Sequence, residues 1–318
     1  MLHLCFCVHD PSGEYYKNTL VALLSVFANT TARITAHILC DATLSPEAKE
    51  AFHSLAREYE QELRLIPMGT IADAVQNNVA AKFGPGSLYR LFIPEMLMEE
   101  TALYLDSDII CTLDIQTLFA YTPKDFCLAG VTDAGQIRHR IGSRKLRRLG
   151  LAPQRYINSG VMLMNLEKIR REHPQWREQI FALVAQNKWA FPDQHAINLY
   201  FSSCPDGISL LPERFNYCIN VENRPYLVAS SYEDKILHYT QEKPWNVLTP
   251  ATLVFWQYHC RLFNNPEIIA VLRGLAPGRE FPLFDYILRH ERVKRFVRTA
   301  RLISEQGLLP TLRRKLRV

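Results

Sequence analysis

The feature that most constrains this chain is an alternation, through its first half, of short apolar runs with longer stretches of helical spacing. Leu2–Val8 is apolar and reads as a buried strand, ending in the loop-forming His9-Asp10-Pro11-Ser12-Gly13. Leu20, Leu23, Leu24 and Phe27 then recur at helical spacing over residues 16–29. Residues 33–40 read as a second strand, Ser45-Pro46-Glu47 as a helix start with proline just inside it, and residues 63–68 as a third strand. Such alternation predicts an α/β fold, a mostly parallel sheet covered by helices, with ligands beyond the carboxyl ends of the strands. His9-Asp10 lies at one such end.

Further short strands are expected over residues 102–105, 126–131, 156–165 and 236–239, with a basic, loosely helical stretch over 136–149. After Pro250 the pattern is helical to the end. No repeat or low-complexity linker marks a seam in the 318 residues, so the expected division is a domain over 1–245 and a helical extension over 246–318.

Composition narrows the class. With 48% hydrophobic and 22% charged residues the chain is globular, not disordered. The longest apolar stretch, residues 19–28, is about half the ~18–20 residues that cross a bilayer. Met1-Leu2-His3-Leu4 shows no basic region followed by a signal-like core, so neither secretion nor a Golgi-type anchor is expected. The 8 cysteines run from Cys5 to Cys260 without a CxxC pair, which fits free thiols in a reducing cytoplasm better than disulfides or structural zinc.

Charge is unevenly placed. Residues 289–318 hold ten Lys/Arg against two Asp/Glu, a local +8, and the overall +5 therefore leaves −3 for everything before them. In that tail Val293, Phe296, Val297, Leu302 and Ile303 interleave with Arg292, Lys294, Arg295, Arg298 and Arg301. A basic amphipathic segment of this kind suits an anionic membrane surface, and no nucleic-acid-binding pattern accompanies it. A second basic stretch, Arg138, His139, Arg140, Arg144, Lys145, Arg147 and Arg148, reads either as a solvated helix face or as a surface for a phosphorylated acceptor.

The sharpest chemical signal is Asp106-Ser107-Asp108, directly after an apolar strand. Two carboxylates one residue apart at a strand end can converge on one divalent cation of the Mg²⁺ or Mn²⁺ type; the alternative is an ordinary acidic turn. His238, at the end of another short strand, adds a borderline ligand that tilts such a site toward Mn²⁺. Lys243, five residues on, is placed to meet a diphosphate.

These elements occur in order with Tyr89-Arg90-Leu91, Pro94-Glu95, Asn158-Ser159-Gly160-Val161, Asp193-Gln194 and Lys243-Pro244-Trp245. Together they resemble glycosyltransferase family 8, retaining UDP-sugar transferases that include bacterial lipooligosaccharide galactosyltransferases and glycogenin. The resemblance covers roughly residues 2–246. It implies a GT-A type nucleotide-sugar fold and a Mn²⁺ centre, with Mg²⁺ as the substitute, ligated by Asp106, Asp108 and His238. It further implies that Asp10, Tyr15, Arg90, Asp106, Ser107, Asn158 and Lys243 hold the nucleotide donor. Asp133, Asn158, Asp193 and Gln194 would surround the donor sugar, with Gln194 beneath the anomeric carbon. Two departures from the family are visible: four residues instead of five separate His238 from Lys243, without a glycine, and His195 stands where the family more often has Asp.

The expected reaction is transfer of a hexose, galactose or glucose, from UDP to a cell-surface glycan or glycolipid such as a lipopolysaccharide core. It would take place at the inner face of the cytoplasmic membrane, held there peripherally by the tail, with no nucleic-acid partner. Gln194 is an amide and a poor nucleophile, which favours front-face attack; double displacement through Gln194 or Asp193 stays open. A glycogenin-like self-glucosylating protein and a non-catalytic nucleotide-binding membrane protein are the competing expectations.

Overall fold

A computed structural model describes residues 1–69, 85–121, 125–138, 140–187, 189, 191–220 and 232–274. The basic tail over 289–318 and His139 lie outside the described residues. The described residues form two compact units, one within 1–220 together with 232–240, the other within 241–274.

The first unit is built on a seven-stranded sheet in the order β3-β2-β1-β4-β7-β6-β8. Its strands are β1 (Leu2–Val8), β2 (Ile34–Cys40), β3 (Glu62–Pro67), β4 (Thr101–Leu105), β6 (Leu128–Thr132), β7 (Ile157–Asn165) and β8 (Ile208–Leu210). The central strands are covered on both faces, which is why β2 is buried along its whole length and β1 reads as a continuous apolar run. β3, on the edge, instead alternates and exposes Glu62 and Arg64, charges that discourage edge-to-edge pairing.

Parallel pairing joins β3, β2, β1 and β4, and also β6 to β8, whereas β7 runs antiparallel to both β4 and β6. The reversed strand decides where the site forms. The carboxyl ends of β1, β4 and β6 deliver Asp10, Asp106 and Asp133, and the amino end of β7 delivers Asn158 to the same edge.

Local chemistry accounts for the helices. Ser45 Oγ accepts the Ala48 N–H at 3.1 Å and Pro46 opens helix Pro46–Glu58, the N-terminus expected from the sequence. Helix Tyr15–Asn29 is capped from the preceding loop. Asp10 accepts the N–H groups of Glu14, Tyr15 and Tyr16 at 3.0, 2.9 and 3.1 Å, satisfying donors that the first helical turn leaves open. On the other face, helices Trp176–Gln186 and Pro192–Ser202 bury Trp176, Ile180, Ile197 and Phe201 against Tyr104, Met162 and Met164. Each such side chain contributes about 1.5–3 kcal/mol on burial. The basic stretch forms two helices, Ala134–Arg138 and Arg140–Arg148.

A smaller three-stranded sheet in the order β5-β10-β9 belongs to the same unit, with β5 (Ile109–Cys111), β9 (Tyr217–Asn220) and β10 (Ile236–Thr240). β10 lies antiparallel to β5, pairing His238 with Ile109, and parallel to β9, pairing His238 with Cys218. Cys5, Cys7, Cys40, Cys111 and Cys127 are buried free thiols, in line with the reading of the cysteines as small hydrophobes.

In the second unit, helices Leu253–Leu262 and Pro266–Gly274 follow a Thr249/Thr252 capping box. Phe255 packs among the rings of Trp245, Trp256 and His259, and the Trp256 indole donates to the Val247 carbonyl at 3.0 Å. Among the described residues no helix is long and apolar enough to cross a membrane.

Candidate active site

Pairing within the small sheet brings together the residues that the sequence separates by 130 positions. Because His238 lies opposite Ile109, its ring sits beside Asp108, with Nε2 3.3 Å from Asp108 Oδ1 and 3.9 Å from Asp106 Oδ2. One ligand atom from each of Asp106, Asp108 and His238 lies within 4.8 Å of the other two. Two hard carboxylates and one imidazole form a donor set for a Mg²⁺- or Mn²⁺-type cation, and the imidazole favours the second. The local packing is shaped to it. A Cβ on Gly160 would stand 2.3 Å from His238 Cε1 and 2.7 Å from Asp106 Oδ2, so a side chain there would fill the cradle between the ligands. These residues fit the cation that the resemblance implies. Burial pushes the His238 pKa down, but the Asp108 carboxylate outweighs it and raises the imidazole well above its ordinary value.

Arg90 links this cluster to its surroundings. Its guanidinium donates to the Ser159 carbonyl at 2.8 Å, to Asp106 Oδ1 at 3.1 Å and to the Ser87 carbonyl at 2.6 Å, and stands 3.7 Å from Asp193 Oδ2. It also lies over the Tyr104 ring at 4.6 Å, and the Tyr104 hydroxyl donates to Asp106. Burial works against the charge of Arg90, yet Asp106, Tyr104 and Asp193 together hold it firmly protonated. Ser107 faces the other way, its hydroxyl 2.8 Å from that of Thr19 on helix Tyr15–Asn29. Burial and the Asp108 carboxylate raise the Tyr15 hydroxyl well above its usual range while a hydrogen bond with Ser107 pulls it back, so Tyr15 belongs to the same cluster.

A second group of side chains adjoins through Ser159. Gln194 Oε1 accepts the Ser159 N–H at 3.1 Å, and Gln194 Nε2 donates to Asp133 Oδ2 at 2.8 Å and to the Tyr156 hydroxyl at 3.0 Å. Asn158 Nδ2 donates to the same Asp133 oxygen at 3.4 Å. Asp133, Asn158 and Gln194 are thus joined in one network, and Asp193, next to Gln194 in the chain, faces Arg90. His195 is turned toward Tyr156, with Nδ1 2.8 Å from its hydroxyl, and packs against Trp189. At this position it supports the residue that orients Gln194.

Both carboxylate oxygens of Asp10 accept backbone N–H groups of the helix start, which fixes where Tyr15 sits. Lys243 belongs to the second unit, and its assignment to a diphosphate rests on the sequence and the resemblance.

Two residues that sequence reading passed over complete the arrangement. Asn198, fully buried, accepts the Ile157 N–H and donates to the carbonyls of Ile157 and Gln194, each at 2.8 Å, which pins the start of β7 to the helix carrying Gln194. Its signal was its place one turn after Gln194. Asn216, 1% exposed, lies 2.9 Å from His238 Nδ1, and only the fold brings it there. A second cluster of His3, His37 and Glu99 lies on β1, on β2 and before β4; Arg64, 3.0 Å from Glu99 Oε1, already supplies its counter-charge.

The family model described as glycosyl transferase family 8 matches residues 7–249. Lipopolysaccharide 1,2-glucosyltransferase of Escherichia coli is 26% identical over 301 residues, 89% of this chain and 82% of that protein. Glycosyltransferase GlyB of Streptococcus pneumoniae serotype 4 is 28% identical over 187 residues, 54% of this chain but 42% of its own length. The chain thus spans less than half of some curated relatives that it matches. The galactosyltransferase LgtC, crystallised with donor and acceptor sugar analogs, superposes with a TM-score of 0.68 at 21% identity, over 84% of this chain and 98% of LgtC. That likeness establishes the GT-A type fold. With the family model covering most of its length, the chain belongs to glycosyltransferase family 8, a family of retaining sugar-transfer enzymes.

Proposed function

We propose that this chain moves a hexose, galactose or glucose, from a UDP-sugar to a cell-surface glycan such as a lipopolysaccharide or lipooligosaccharide core, with retention at the anomeric carbon. The observation that carries the reading is the meeting of a carboxylate–imidazole cluster with a hydrogen-bonded network of Asp133, Asn158 and Gln194 at the same ends of the strands. Asp106, Asp108 and His238 would hold Mn²⁺, and a bound cation of that kind supplies Lewis-acid neutralisation of the leaving diphosphate. Arg90, charged and fixed between Asp106 and Asp193, keeps both carboxylates oriented. Gln194 is held by Ser159, Asp133 and Tyr156 and is a poor nucleophile as an amide, so it serves to position the sugar. The acceptor hydroxyl then attacks from the face that UDP leaves. The new glycosidic bond forms as the anomeric carbon–phosphate oxygen bond breaks, and the departing oxygen takes the hydroxyl proton.

For the acceptor, helix Arg140–Arg148 gives a specific support. It buries Leu146 against Leu151 and Tyr156, and leaves Arg144, Lys145, Arg147 and Arg148 exposed. Tyr156 also accepts a hydrogen bond from Gln194, so the helix is anchored next to the residues proposed to hold the sugar, which supports an anionic, phosphorylated glycan as acceptor. The tail is proposed to hold the protein peripherally at the inner face of the cytoplasmic membrane. Truncation after Leu288 should release it from anionic vesicles while leaving activity on a soluble acceptor.

The deciding experiment is UDP release by the purified chain across UDP-Gal, UDP-Glc, UDP-GlcNAc and UDP-GlcA with Mn²⁺ or EDTA, paired with UDP calorimetry. Metal-dependent turnover of a hexose donor, lost in Asp108→Ala, is expected. UDP binding that is absent, or that ignores both metal and Asp108→Ala, refutes the reading.

A further inference from the structure

The hydrogen bonds behind His238 have only one consistent polarity, and it decides which ring nitrogen faces the carboxylates. The chain of contacts starts at Asp133, whose carboxylate oxygen accepts from the Asn158 amide nitrogen at 3.4 Å. Asn158 Oδ1 is fixed independently, because it accepts the Gly160 N–H at 3.0 Å and a backbone N–H only donates. That oxygen also lies 3.0 Å from the Asn216 side chain, which must therefore present Nδ2 to it. Asn216 Oδ1 is then left facing His238 Nδ1 at 2.9 Å, with the Cys218 thiol, another donor, 3.8 Å away. An amide oxygen only accepts, so Nδ1 carries the proton. The assignment of both amides follows from groups at the two ends that have no choice of role.

We propose that Asn216 is a positioning residue for the metal centre: by accepting the Nδ1 proton of His238 it keeps Nε2, the nitrogen facing Asp106 and Asp108, as the ligating atom. The inference rests on the reading of that cluster as a cation site and adds to it a residue that neither the motifs nor the comparisons assign. Ligating imidazoles are ordinarily held by a hydrogen bond from their other nitrogen, and loss of that bond typically costs 10- to 100-fold in metal affinity. Here the acceptor is a neutral amide, so the bond fixes the ring's orientation without adding another negative charge to the cluster. The same relay runs on through Asn158 and Asp133 to Gln194, 2.8 Å from Asp133, so the metal ligand and the sugar pocket share one hydrogen-bonded support.

The test is Mn²⁺ binding to the full chain without donor, followed by electron paramagnetic resonance titration, with electron-spin-echo detection of a directly bound imidazole nitrogen. Asn216→Leu removes the acceptor at similar volume and should weaken Mn²⁺ binding about 10- to 100-fold and erase or reduce the nitrogen coupling. Asn216→Asp keeps an acceptor for Nδ1 and should retain the coupling. Should Asn216→Leu fail to fold, as judged by circular dichroism, Asn216→Ala takes its place. Wild-type affinity and coupling in the Leu or Ala variant overturn the proposal, as does loss of coupling in Asn216→Asp equal to that in Leu. Failure of the underlying metal reading looks different: wild-type protein then shows no nitrogen coupling, or His238→Ala binds Mn²⁺ as wild type does, and the proposal falls with it.

Discussion

Gly160→Ala adds a single methyl group at the point where the metal-centre reading is most exposed. An ideal Cβ at this position stands 2.3 Å from His238 Cε1, 2.9 Å from His238 Nε2 and 2.7 Å from Asp106 Oδ2. Non-bonded carbons rest at about 3.5–4.0 Å, so the imidazole must retreat by about 1 Å or more. Neither neighbour yields cheaply. His238 is tied through Nδ1 to Asn216 at 2.9 Å, and Asp106 is held by Arg90 at 3.1 Å and by Tyr104. Overpacking of this kind costs about 1–3 kcal/mol, and displacing a ligand from its supported position should lower metal affinity by about 10- to 100-fold. Two assays separate the effects: Mn²⁺ titration by electron paramagnetic resonance reads the ligand geometry, and thermal unfolding in EDTA reads the packing. A variant that binds Mn²⁺ within about twofold of wild type and melts at the same temperature would falsify the claim that Gly160 is glycine to make room for these ligands.

Arg90→Lys keeps the charge but loses the planar fork that reaches Ser159, Asp106 and Ser87 together. It should cost about 1–3 kcal/mol in urea unfolding and lower turnover; wild-type stability would show that only the charge matters. Asn198→Ala leaves the N–H and carbonyl of Ile157 without their side-chain partner and should cost about 2–4 kcal/mol by the same measure, where a cost below about 1 kcal/mol would mean that the start of β7 is held by other means. Stability should also fall in mild acid. His37 is 1% exposed, and burial pushes its imidazole down to about 4, against the pull of Glu99 and with the help of His3 and Arg64. The unfolded ring takes a proton near 6.5 and the folded ring only near 4, so the unfolded state binds more protons between those values. Stability is therefore complete above about pH 6.5 and about 2 kcal/mol lower by pH 5 from this group alone. Urea midpoints at the two pH values check it, and an equal acid loss in His37→Gln would assign the effect elsewhere.

What the sequence determined by itself was the chemistry and the larger elements. β1, β2 and helix Pro46–Glu58 are legible because burial on two faces demands an unbroken apolar run and because a serine–proline start satisfies a helix terminus. Asp106-Ser107-Asp108 and His238 point to a cation through residue type, and Asp193-Gln194 point to a donor sugar only through the family resemblance. β5, β8 and β9 were not legible, since strands of three or four residues carry too few side chains to show a period. Those short strands did the assembling. The antiparallel pairing of β10 with β5 sets His238 beside Asp108, and the reversal of β7 brings Asn158 and Gly160 to the edge where β4 and β6 end. Asn216 was invisible, and Asn198 was marked only by its place one turn after Gln194, for a related reason: an asparagine in a sequence reads as a turn residue, and its role as a buried acceptor exists only once a distant strand supplies the donor. Residue type set what the site can bind. The pairing of strands far apart in the chain, a matter of tertiary packing with no local signature, decided that the site exists and which nitrogen of His238 faces it.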